Sequence, residues 1–439
     1  MKKLPKIAFV QLNEINFDMI PHYINCGADL PILNKIYDKR ITTVEEEVYE
    51  NLEPWIQWYS IFTGTAYKNH KVYRLGDGYE RFDANFLTDL TNINISVGAI
   101  SPMNISKNTA EFTFFVPDPW SRETSVGSYF LDFIGKAVSQ GVNDNSGSGL
   151  TKQNKFRLLL GLCRYLSFSD FRELYATYRK IEGRSYRKAL FLDLVLVKLH
   201  QVCANKFDTQ FSSVFLNAGA HIQHHYFLNS SFVKSEIKRK NPEWYISHTE
   251  DPVLESLILY EHILESYHTR GFQLMLATGL QQVPYLQNTF YYRLKDHKQF
   301  LSFFDLPYVN VNPRMTRDFE IEFRTLEDKN TVINILSSFE VNGKKIFGEI
   351  MDSGDLNDYK VFCTLTYDDE IIKGTYLNYL GRKLDLRDVV NFVAVKNGMH
   401  DKHGTFYSDI PVTKKITERP IEVSKLRKVI FEIVRDTYR

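Results

Sequence analysis

Three histidines fall within five residues in the segment FLNAGAHIQHHYFLN, at His221, His224 and His225. The segment follows the apolar run SSVFL, and Asn217 stands where that run ends. Neutral imidazoles at this density suit a metal ion or an anionic substrate. The alternative interpretations are a surface loop, or histidines whose hydrogen bonds are satisfied within the fold.

A carboxylate precedes two tryptophans in the segment NLEPWIQWYSIFTG, residues 51–64. Glu53, Trp55, Gln57 and Trp58 stand just ahead of a turn rich in small residues, which is more typical of a pocket than of a core strand. Tryptophan stacks well on sugar rings, and a carboxylate can act as a general acid, a general base or a nucleophile. Burial of Glu53 beside the tryptophans would raise its pKa, as suits a general acid.

Two further segments carry residues that could join this chemistry. Asn13 and Glu14 follow the apolar run KIAFVQL, and His400 lies in the segment NGMHDKHGTFYSD, which we interpret as a glycine-flanked loop. Carboxylates and histidines that meet in one cleft can perform general acid and base catalysis without a metal. We therefore expect Asn13, Glu14, Glu53 and the histidines to converge.

Asp118 and Arg314 are the weaker candidates for binding a substrate. The segment FVPDPWSRE holds Asp118 between two prolines, where it could face a polar ligand or form an Asx turn. The segment NPRMTRDFEIEF offers Arg314 as an anion clamp. A salt bridge within its own surroundings is the commoner use of such an arginine.

Buried strands separated by helices must position these residues. The segments KIAFVQL, NISVGAIS, SSVFLNAGA and FQLMLATGL have the continuous apolar composition of strands in a parallel sheet. The segment DPVLESLILYEHILESYHTRG predicts an amphipathic helix that begins at Asp251 and ends at Gly271. Together they predict an α/β fold with a largely parallel sheet, whose active groups gather at the carboxyl ends of the strands.

The chain also shows where its parts divide. The polar segment 139–154 is the best candidate for a linker, and residues 150–210 have apolar spacings of three and four that predict a helical insertion or cap. Residues 1–140 and 211–439 would then form the α/β core. From about residue 315 onward, alternating residues predict antiparallel strands around one helix, which we interpret as a C-terminal subregion.

Composition limits the possible partners and the compartment. The 54 basic and 53 acidic residues leave a net charge of +1, so the chain as a whole has no attraction for nucleic acid or an anionic membrane, although local patches stay open. The apolar run near the N-terminus is too short for a signal segment or a spanning helix, which predicts a cytoplasmic protein without membrane insertion. The four cysteines lie far apart and predict reduced packing residues.

Taken in order, these segments resemble the alkaline phosphatase superfamily, especially its type I phosphodiesterase and nucleotide pyrophosphatase branch. The resemblance covers most of the chain outside 150–210. It implies that Asn13 stands where the family has a metal-binding aspartate. It also implies that His224 belongs to an Asp-x-x-x-His pair whose aspartate is replaced by Ala220, and that His400 is the final histidine of the family's metal site.

The same resemblance implies that much of a two-metal site is missing. Thr278, Gly279 and Leu280 occupy the region of the family's Asp-His-Gly turn, and the nucleophile position falls at Pro54 or Glu53, neither of which has a hydroxyl. Two-metal chemistry needs these ligands to stabilise the charge of an in-line displacement. We therefore predict no stoichiometric dinuclear zinc, and at most one divalent metal ion at His224 and His400.

These observations predict an enzyme that acts on a small phosphorylated or glycosyl substrate, as a hydrolase or transferase. The resemblance implies surface-glycan metabolism as its setting. Glu14, Glu53, His224 and His400 would carry acid and base chemistry. Asn13, Trp55, Gln57, Trp58, His221, His225, Asn217, Asp118 and Arg314 would bind the substrate. A phosphodiesterase with one metal ion and a binding protein that has lost the reaction are the alternatives.

Overall fold

A computed structural model describes residues 5–45, 47–81, 83–121, 123–143, 150–234, 237, 239–314, 317–352, 359–411 and 419–439. The strands are β1 (Lys6–Leu12), β2 (Ile41–Val44), β3 (Val97–Ile100), β4 (Phe112–Val116), β5 (Phe211–Leu216), β6 (Phe272–Ala277), β7 (Gln281–Pro284), β8 (Phe290–Leu294), β9 (Asn310–Pro313), β10 (Asp318–Glu322), β11 (Glu340–Val341), β12 (Lys344–Lys345), β13 (Glu349–Asp352), β14 (Lys360–Thr364), β15 (Tyr376–Tyr379), β16 (Arg382–Asp385), β17 (Val390–Val395), β18 (Gly398–Asp401), β19 (His403–Ser408) and β20 (Ile421–Glu422).

The helices are α1 (Ile20–Asn25), α2 (Pro31–Lys39), α3 (Pro54–Thr63), α4 (Tyr67–His70), α5 (Phe86–Asn92), α6 (Tyr129–Asn143), α7 (Lys152–Tyr165), α8 (Phe168–Arg179), α9 (Arg187–Lys206), α10 (Ala218–Tyr226), α11 (Ser231–Lys234), α12 (Pro252–Thr269), α13 (His297–Phe303), α14 (Leu326–Ser338), α15 (Leu386–Val389) and α16 (Leu426–Tyr438). Short 3-10 helices lie at Phe17–Met19, Tyr49–Asn51, Asp77–Glu80, Lys107–Thr109, Phe227–Asn229 and Val423–Lys425. Among the residues described, no helix is both long and apolar enough to cross a membrane.

An eight-stranded sheet forms the centre of the larger unit, with the strand order β20-β2-β19-β6-β1-β5-β3-β4. The run from β6 to β4 is parallel throughout, and β19 is the strand that pairs antiparallel with both of its neighbours, β2 and β6. Strands β1 and β5 pair in register from Ile7 and Phe211 to Leu12 and Leu216. The predicted α/β fold with a largely parallel sheet flanked by helices is confirmed.

Side chains of β1 alternate between two apolar cores, as the period of a strand requires. Ala8 and Val10 contribute to the core that α9 and α12 cover. Ile7 and Phe9 contribute to the opposite core, which α3 and α16 cover. Helices therefore bury both faces of β1, and this explains why its sequence is a continuous apolar run.

The chain divides into two compact units, residues 1–285 with 397–439, and residues 286–396. The smaller unit contains the antiparallel sheet β13-β14-β10-β9 and the helix α14. The antiparallel region predicted from about 315 therefore has different bounds, because the chain returns after residue 396 to supply β19, β20 and α16 to the larger unit.

Residues 150–210 are helical, as the apolar spacing predicts. Helices α7, α8 and α9 belong to the larger unit, and α9 contributes Leu194 and Val197 to the core over the sheet. The predicted linker 139–154 overlaps the end of α6 and the start of α7, and its residues 144–149 lie outside the described ranges. All four cysteines are free.

Candidate functional site

The site begins where β1 ends, at Asn13 and Glu14. The Glu14 backbone has a φ of 58°, in the left-handed region that a residue other than glycine adopts only when its surroundings hold it there. Three contacts do so: Glu14 N–H donates to the Thr278 carbonyl (3.0 Å), and the Glu14 carbonyl accepts from the Gln282 backbone N–H (3.2 Å) and from Gln223 Nε2 (3.0 Å).

Two histidines from distant segments meet the Glu14 carboxylate. Glu14 Oε2 lies 2.9 Å from His224 Nε2 and 3.2 Å from His400 Nε2. The two Nε2 atoms are 3.3 Å apart. These residues form the one trio of possible metal ligands found within the described part of the chain.

The spacing of these three atoms fits a divalent metal ion. Two ligand atoms of a tetrahedral zinc site, each about 2.05 Å from the metal, lie about 3.3 Å from each other. The three separations observed here, 2.9, 3.2 and 3.3 Å, are close to this value. Two imidazoles and one carboxylate also form a known set of protein ligands in catalytic zinc sites.

Neighbouring amides fix the Glu14 carboxylate in place. Asn13 Nδ2 donates to Glu14 Oε1 (2.8 Å), and Gln282 Nε2 donates to Glu14 Oε2 (2.5 Å). Trp58 Nε1 donates in turn to Asn13 Oδ1 (2.8 Å) and so sets the orientation of that amide. Burial alone would raise the pKa of Glu14, but the charges of His400 and His224 and their hydrogen bonds outweigh burial and hold that pKa well below its ordinary value.

His400 is oriented from its other ring nitrogen. His400 Nδ1 lies 3.7 Å from Glu53 Oε2, and the ring also makes a hydrogen bond to the backbone of Leu52. The Glu53 carboxylate on the Nδ1 side leaves Nε2 to act as a metal ligand, which is the usual arrangement around ligating histidines. Without a metal, burial lowers the pKa of His400, but the Glu14 charge and hydrogen bond, with Glu53 and Leu52, raise it to about 9.

Helix α10 holds His224, and a buried aspartate fixes where that helix starts. Asp193 of α9 accepts from the backbone N–H groups of Asn217 (3.2 Å) and Ala218 (3.0 Å) and from the hydroxyl of Tyr260 (2.9 Å). Asn217 also touches the site, because its Oδ1 accepts from Asn13 Nδ2 at 2.8 Å. The segment FLNAGAHIQHHYFLN is therefore the end of a strand and a helix, and the alternative of a surface loop is excluded.

The remaining histidines of α10 lie beside the trio without joining it. His221 and His225 are one turn apart, with ring centroids 4.5 Å from each other. The centroids of His224 and His225 are 6.4 Å apart. Spacing along the helix thus places all three on one side, but only His224 is within hydrogen-bonding distance of Glu14.

Two predicted substrate-binding residues are buried instead of exposed in a pocket. Trp58 and Gln57 each have an exposed fraction of 0% and lie within α3. Trp58 packs over Gly279, and Gln57 Nε2 donates to the Asn51 carbonyl (2.9 Å). A side chain without exposed surface offers no face to a substrate, so the burial of these two residues argues against the predicted role in substrate binding. Trp55 is partly exposed, and its Nε1 donates to the Tyr73 carbonyl.

The structure also corrects the surroundings expected for Glu53 and His400. The Glu53 side chain is 33% exposed, so the deep burial beside tryptophans that would raise its pKa is absent. The segment around His400 is not a loop but the strands β18 and β19. In β18, His400 stands directly opposite Gln282 of β7.

Asp118 and Arg314 have local partners. Asp118 is buried, and its Oδ1 accepts from the Trp120 N–H at 2.9 Å, which is the Asx turn that the sequence left as the alternative. Burial raises the pKa of Asp118 to about 7. Arg314 belongs to the smaller unit, where its guanidinium donates to Glu320 (3.1 Å).

Sequence reasoning missed the amides that build the site. Gln282 and Gln223 bind the side chain and the backbone of Glu14, and Asn397 donates its backbone N–H to the His224 carbonyl (2.7 Å). No local pattern marks these residues. Gly398 is the one signal near them, because a Cβ at this position would lie 2.0 Å from Gln282 Oε1.

The sequence matches no model of a known protein family and no curated protein. Among solved structures, the chain is similar to phosphonoacetate hydrolase from Sinorhizobium meliloti 1021 (10% identity, TM-score 0.43, 99% of this chain and 96% of that chain). It is also similar to human ectonucleotide pyrophosphatase/phosphodiesterase 5 (10% identity, TM-score 0.44, 98% and 95%) and to alkaline phosphatase from the Antarctic bacterium TAB5 (10% identity, TM-score 0.38, 99% of both chains).

Proposed function

We propose that this protein is a hydrolase of phosphate esters that works with one divalent metal ion held by Glu14, His224 and His400. The observation that carries the proposal is the trio of ligand atoms 2.9 to 3.3 Å apart. One carboxylate and two imidazoles leave further coordination positions for water and substrate. The sequence resemblance to the alkaline phosphatase superfamily supports phosphate esters as the substrate class.

Each residue around the trio has a defined task in this proposal. Glu14 supplies the negative charge that offsets the ion, and Asn13 and Gln282 hold its two oxygens. Glu53 positions His400 from the Nδ1 side. Bound at this site, a divalent ion supplies a Lewis acid for a phosphoryl oxygen of the substrate.

An anionic substrate also suits helix α3, which starts beside the trio. Glu53 is the N-cap of α3, and its side chain makes no capping hydrogen bond to the first turn. The start of a helix carries partial positive charge and favours phosphate groups. Because Glu53 lies 3.7 Å from His400, a phosphate at the trio would lie close to this helix end.

The structure favours a ligand role for Glu14 over the acid or base role predicted from the sequence. A general acid must hold a proton near neutral pH, whereas the pKa of Glu14 is well below its ordinary value. Glu14 is also buried and bonded at both oxygens. Glu53, with a third of its side chain exposed, is the carboxylate that can reach a substrate.

A protein that binds anions without reaction is the second candidate. The pKa of His400, about 9, supports it, because the metal-free site then carries a protonated imidazole beside a buried carboxylate at neutral pH. Such a site could hold a phosphate through His400 and the start of α3 without catalysing its transfer. The two candidates differ in whether phosphate binding needs a metal and whether turnover follows.

Hydrolysis of bis(p-nitrophenyl) phosphate and p-nitrophenyl phosphate tests the proposal. The wild-type protein should release nitrophenol when Zn²⁺, Mn²⁺ or Mg²⁺ is added after chelation. Glu14→Gln should lower the rate by about 100-fold or more, since it removes the charged ligand. His225→Asn, on the same helix but outside the trio, is the matched control and should keep the rate. Phosphate binding without turnover under any metal would establish the binding protein instead.

A further inference from the structure

Helix α7 presents an apolar stripe to solvent. Phe156, Leu159 and Leu160 have exposed fractions of 62%, 53% and 37%. Their spacings of three and four place them on one side of the helix. Leu162 of the same helix is buried in the core. The stripe is therefore the outer side of a helix whose inner side is already packed.

Helix α8 also exposes large aromatic residues. Phe168 has an exposed fraction of 87%, and Tyr175 and Tyr178 are also exposed. Leu174 is buried in the core, and both α7 and α8 contact α9. We call the large exposed apolar residues of the two helices the α7–α8 surface: Phe156, Leu159, Leu160, Phe168, Tyr175 and Tyr178. The ring of Tyr178 also packs against Phe191 of α9.

The two helices that carry the α7–α8 surface are also rich in basic side chains. Residues 152–179 contain six basic and two acidic residues, in a chain whose net charge is only +1. Exposed cations on the two helices are Lys152, Lys155, Arg164, Arg172 and Arg179.

Both acidic residues of this segment are engaged by cations outside α7 and α8. Asp170 is buried and binds Arg270 (3.0 Å), and Glu173 binds Lys198 (2.6 Å). The exposed side of α7 and α8 therefore combines positive charge with large apolar side chains.

We propose that the α7–α8 surface docks this protein on an anionic lipid bilayer. Helices that lie in a membrane interface place Phe and Leu side chains at the boundary of headgroups and acyl chains, with Lys and Arg among the headgroups. Each basic residue near an anionic leaflet adds favourable free energy of binding to the membrane. Tyrosine suits the interface because its ring is apolar and its hydroxyl can hydrogen-bond to water. Docking is peripheral, since these helices stay packed on α9.

Charge argues for lipid over a second copy of the chain. Two α7–α8 surfaces placed face to face would bring their exposed cations together, and like charges across an interface are unfavourable. An anionic bilayer is complementary to both the apolar and the cationic parts. The inference is independent of the proposed reaction, because none of these residues touches the trio.

Sedimentation with vesicles tests the proposal on the full chain. Vesicles of phosphatidylcholine with about one third phosphatidylglycerol should bind the protein at low salt, pure phosphatidylcholine should bind it weakly, and added salt should release it. Leu159→Ser with Phe168→Ser, and separately Lys155→Glu with Arg172→Glu, should each weaken binding by about tenfold or more.

Matched controls are exposed residues on other helices of the same unit. Ile258→Ser on α12 and Lys428→Glu on α16 should bind the vesicles as the wild type does, and thermal unfolding should show that all variants are folded. Three results would overturn the proposal: no binding to anionic vesicles at low salt, equal binding by the surface variants, or a wild-type dimer that the Leu159→Ser/Phe168→Ser variant dissociates.

Discussion

His224 and His400 stand 176 positions apart in the chain, and their Nε2 atoms lie 3.3 Å from each other. Asn397, three positions before His400 in the chain, joins their two segments. Its backbone N–H donates to the His224 carbonyl (2.7 Å). Its side chain accepts from the Leu228 N–H (2.9 Å) and donates to Asn241 (2.9 Å). The geometry of the trio therefore depends on a buried amide outside it.

Asn397→Ala should disturb the trio and the fold together. The change leaves the Leu228 N–H and the Asn241 amide short of partners in a buried place, which costs about 1–3 kcal/mol of unfolding free energy. Affinity for a divalent metal should fall by about tenfold, as it does when residues that hold the ligands of a metal site in place are substituted. Urea unfolding and calorimetric metal titration measure both effects. Asn378→Ala, at an exposed position, is the control and should change neither quantity.

Trp58→Phe should weaken metal binding while the fold stays intact. Phenylalanine keeps an aromatic ring in the core but lacks the Nε1–H that Trp58 donates to Asn13. The Asn13 amide then loses the contact that orients it toward Glu14, so metal affinity should fall by about tenfold. Trp55→Phe also loses an indole hydrogen bond, but that bond goes to Tyr73 outside the trio. Equal metal affinities of the two variants would contradict the role given to Asn13.

Asp193→Asn should loosen the start of α10. The carboxylate accepts from two backbone N–H groups and from the Tyr260 hydroxyl, and an amide has only one oxygen for these donors. At least one buried donor is then unpaired, at a cost of about 1–3 kcal/mol. Amide hydrogen exchange should become faster from Asn217 to Ile222 than in α12, and unchanged exchange there would exclude this anchoring role.

Asp409→Asn should reveal a carboxylate that stabilises the fold above pH 4. Burial would raise the pKa of Asp409, but hydrogen bonds from Tyr407, Leu274, Lys35 and His268 lower it to about 2. Because the folded pKa is below the usual value of about 3.8, the stabilisation is present above that pH and is lost as pH falls toward 2.

At pH 7 the Asp409 substitution should cost about 1–2 kcal/mol of unfolding free energy. The difference in unfolding free energy between this variant and the wild type should shrink as pH falls toward 2. Asp18→Asn, which breaks the surface ion pair with Arg40, is the control and should cost under about 1 kcal/mol. A difference in unfolding free energy that stays constant from pH 7 to pH 3 would show that the Asp409 carboxylate does not stabilise the fold in this way.

The sequence predicted the sheet because strands that are buried on both faces are continuous apolar runs, which can be recognised within a short segment. Strands β1, β5 and β6 are continuous apolar runs that end at Asn13, Asn217 and Thr278, and these ends lie side by side in the parallel sheet. The meeting of His224 with His400 was expected from the resemblance to the alkaline phosphatase superfamily, which implies that both belong to one metal site.

Other parts of the site have no local sequence pattern by which they could be recognised. Nearly every residue of α3 is buried, so this helix has no polar side from which its period could be recognised, and the burial of Trp58 was missed. Gln282 and Asn397 act through contacts with residues more than 150 positions away, which no spacing within a segment can show.

Metal stoichiometry tests the central claim most directly. After chelation and addition of Zn²⁺ or Mn²⁺, elemental analysis of the desalted protein should give about one ion per chain. Glu14→Gln, His224→Asn and His400→Asn should each reduce this to a small fraction, while His225→Asn retains it. Two ions per chain, no ion, or one ion that survives all three substitutions would contradict a single metal site built by Glu14, His224 and His400.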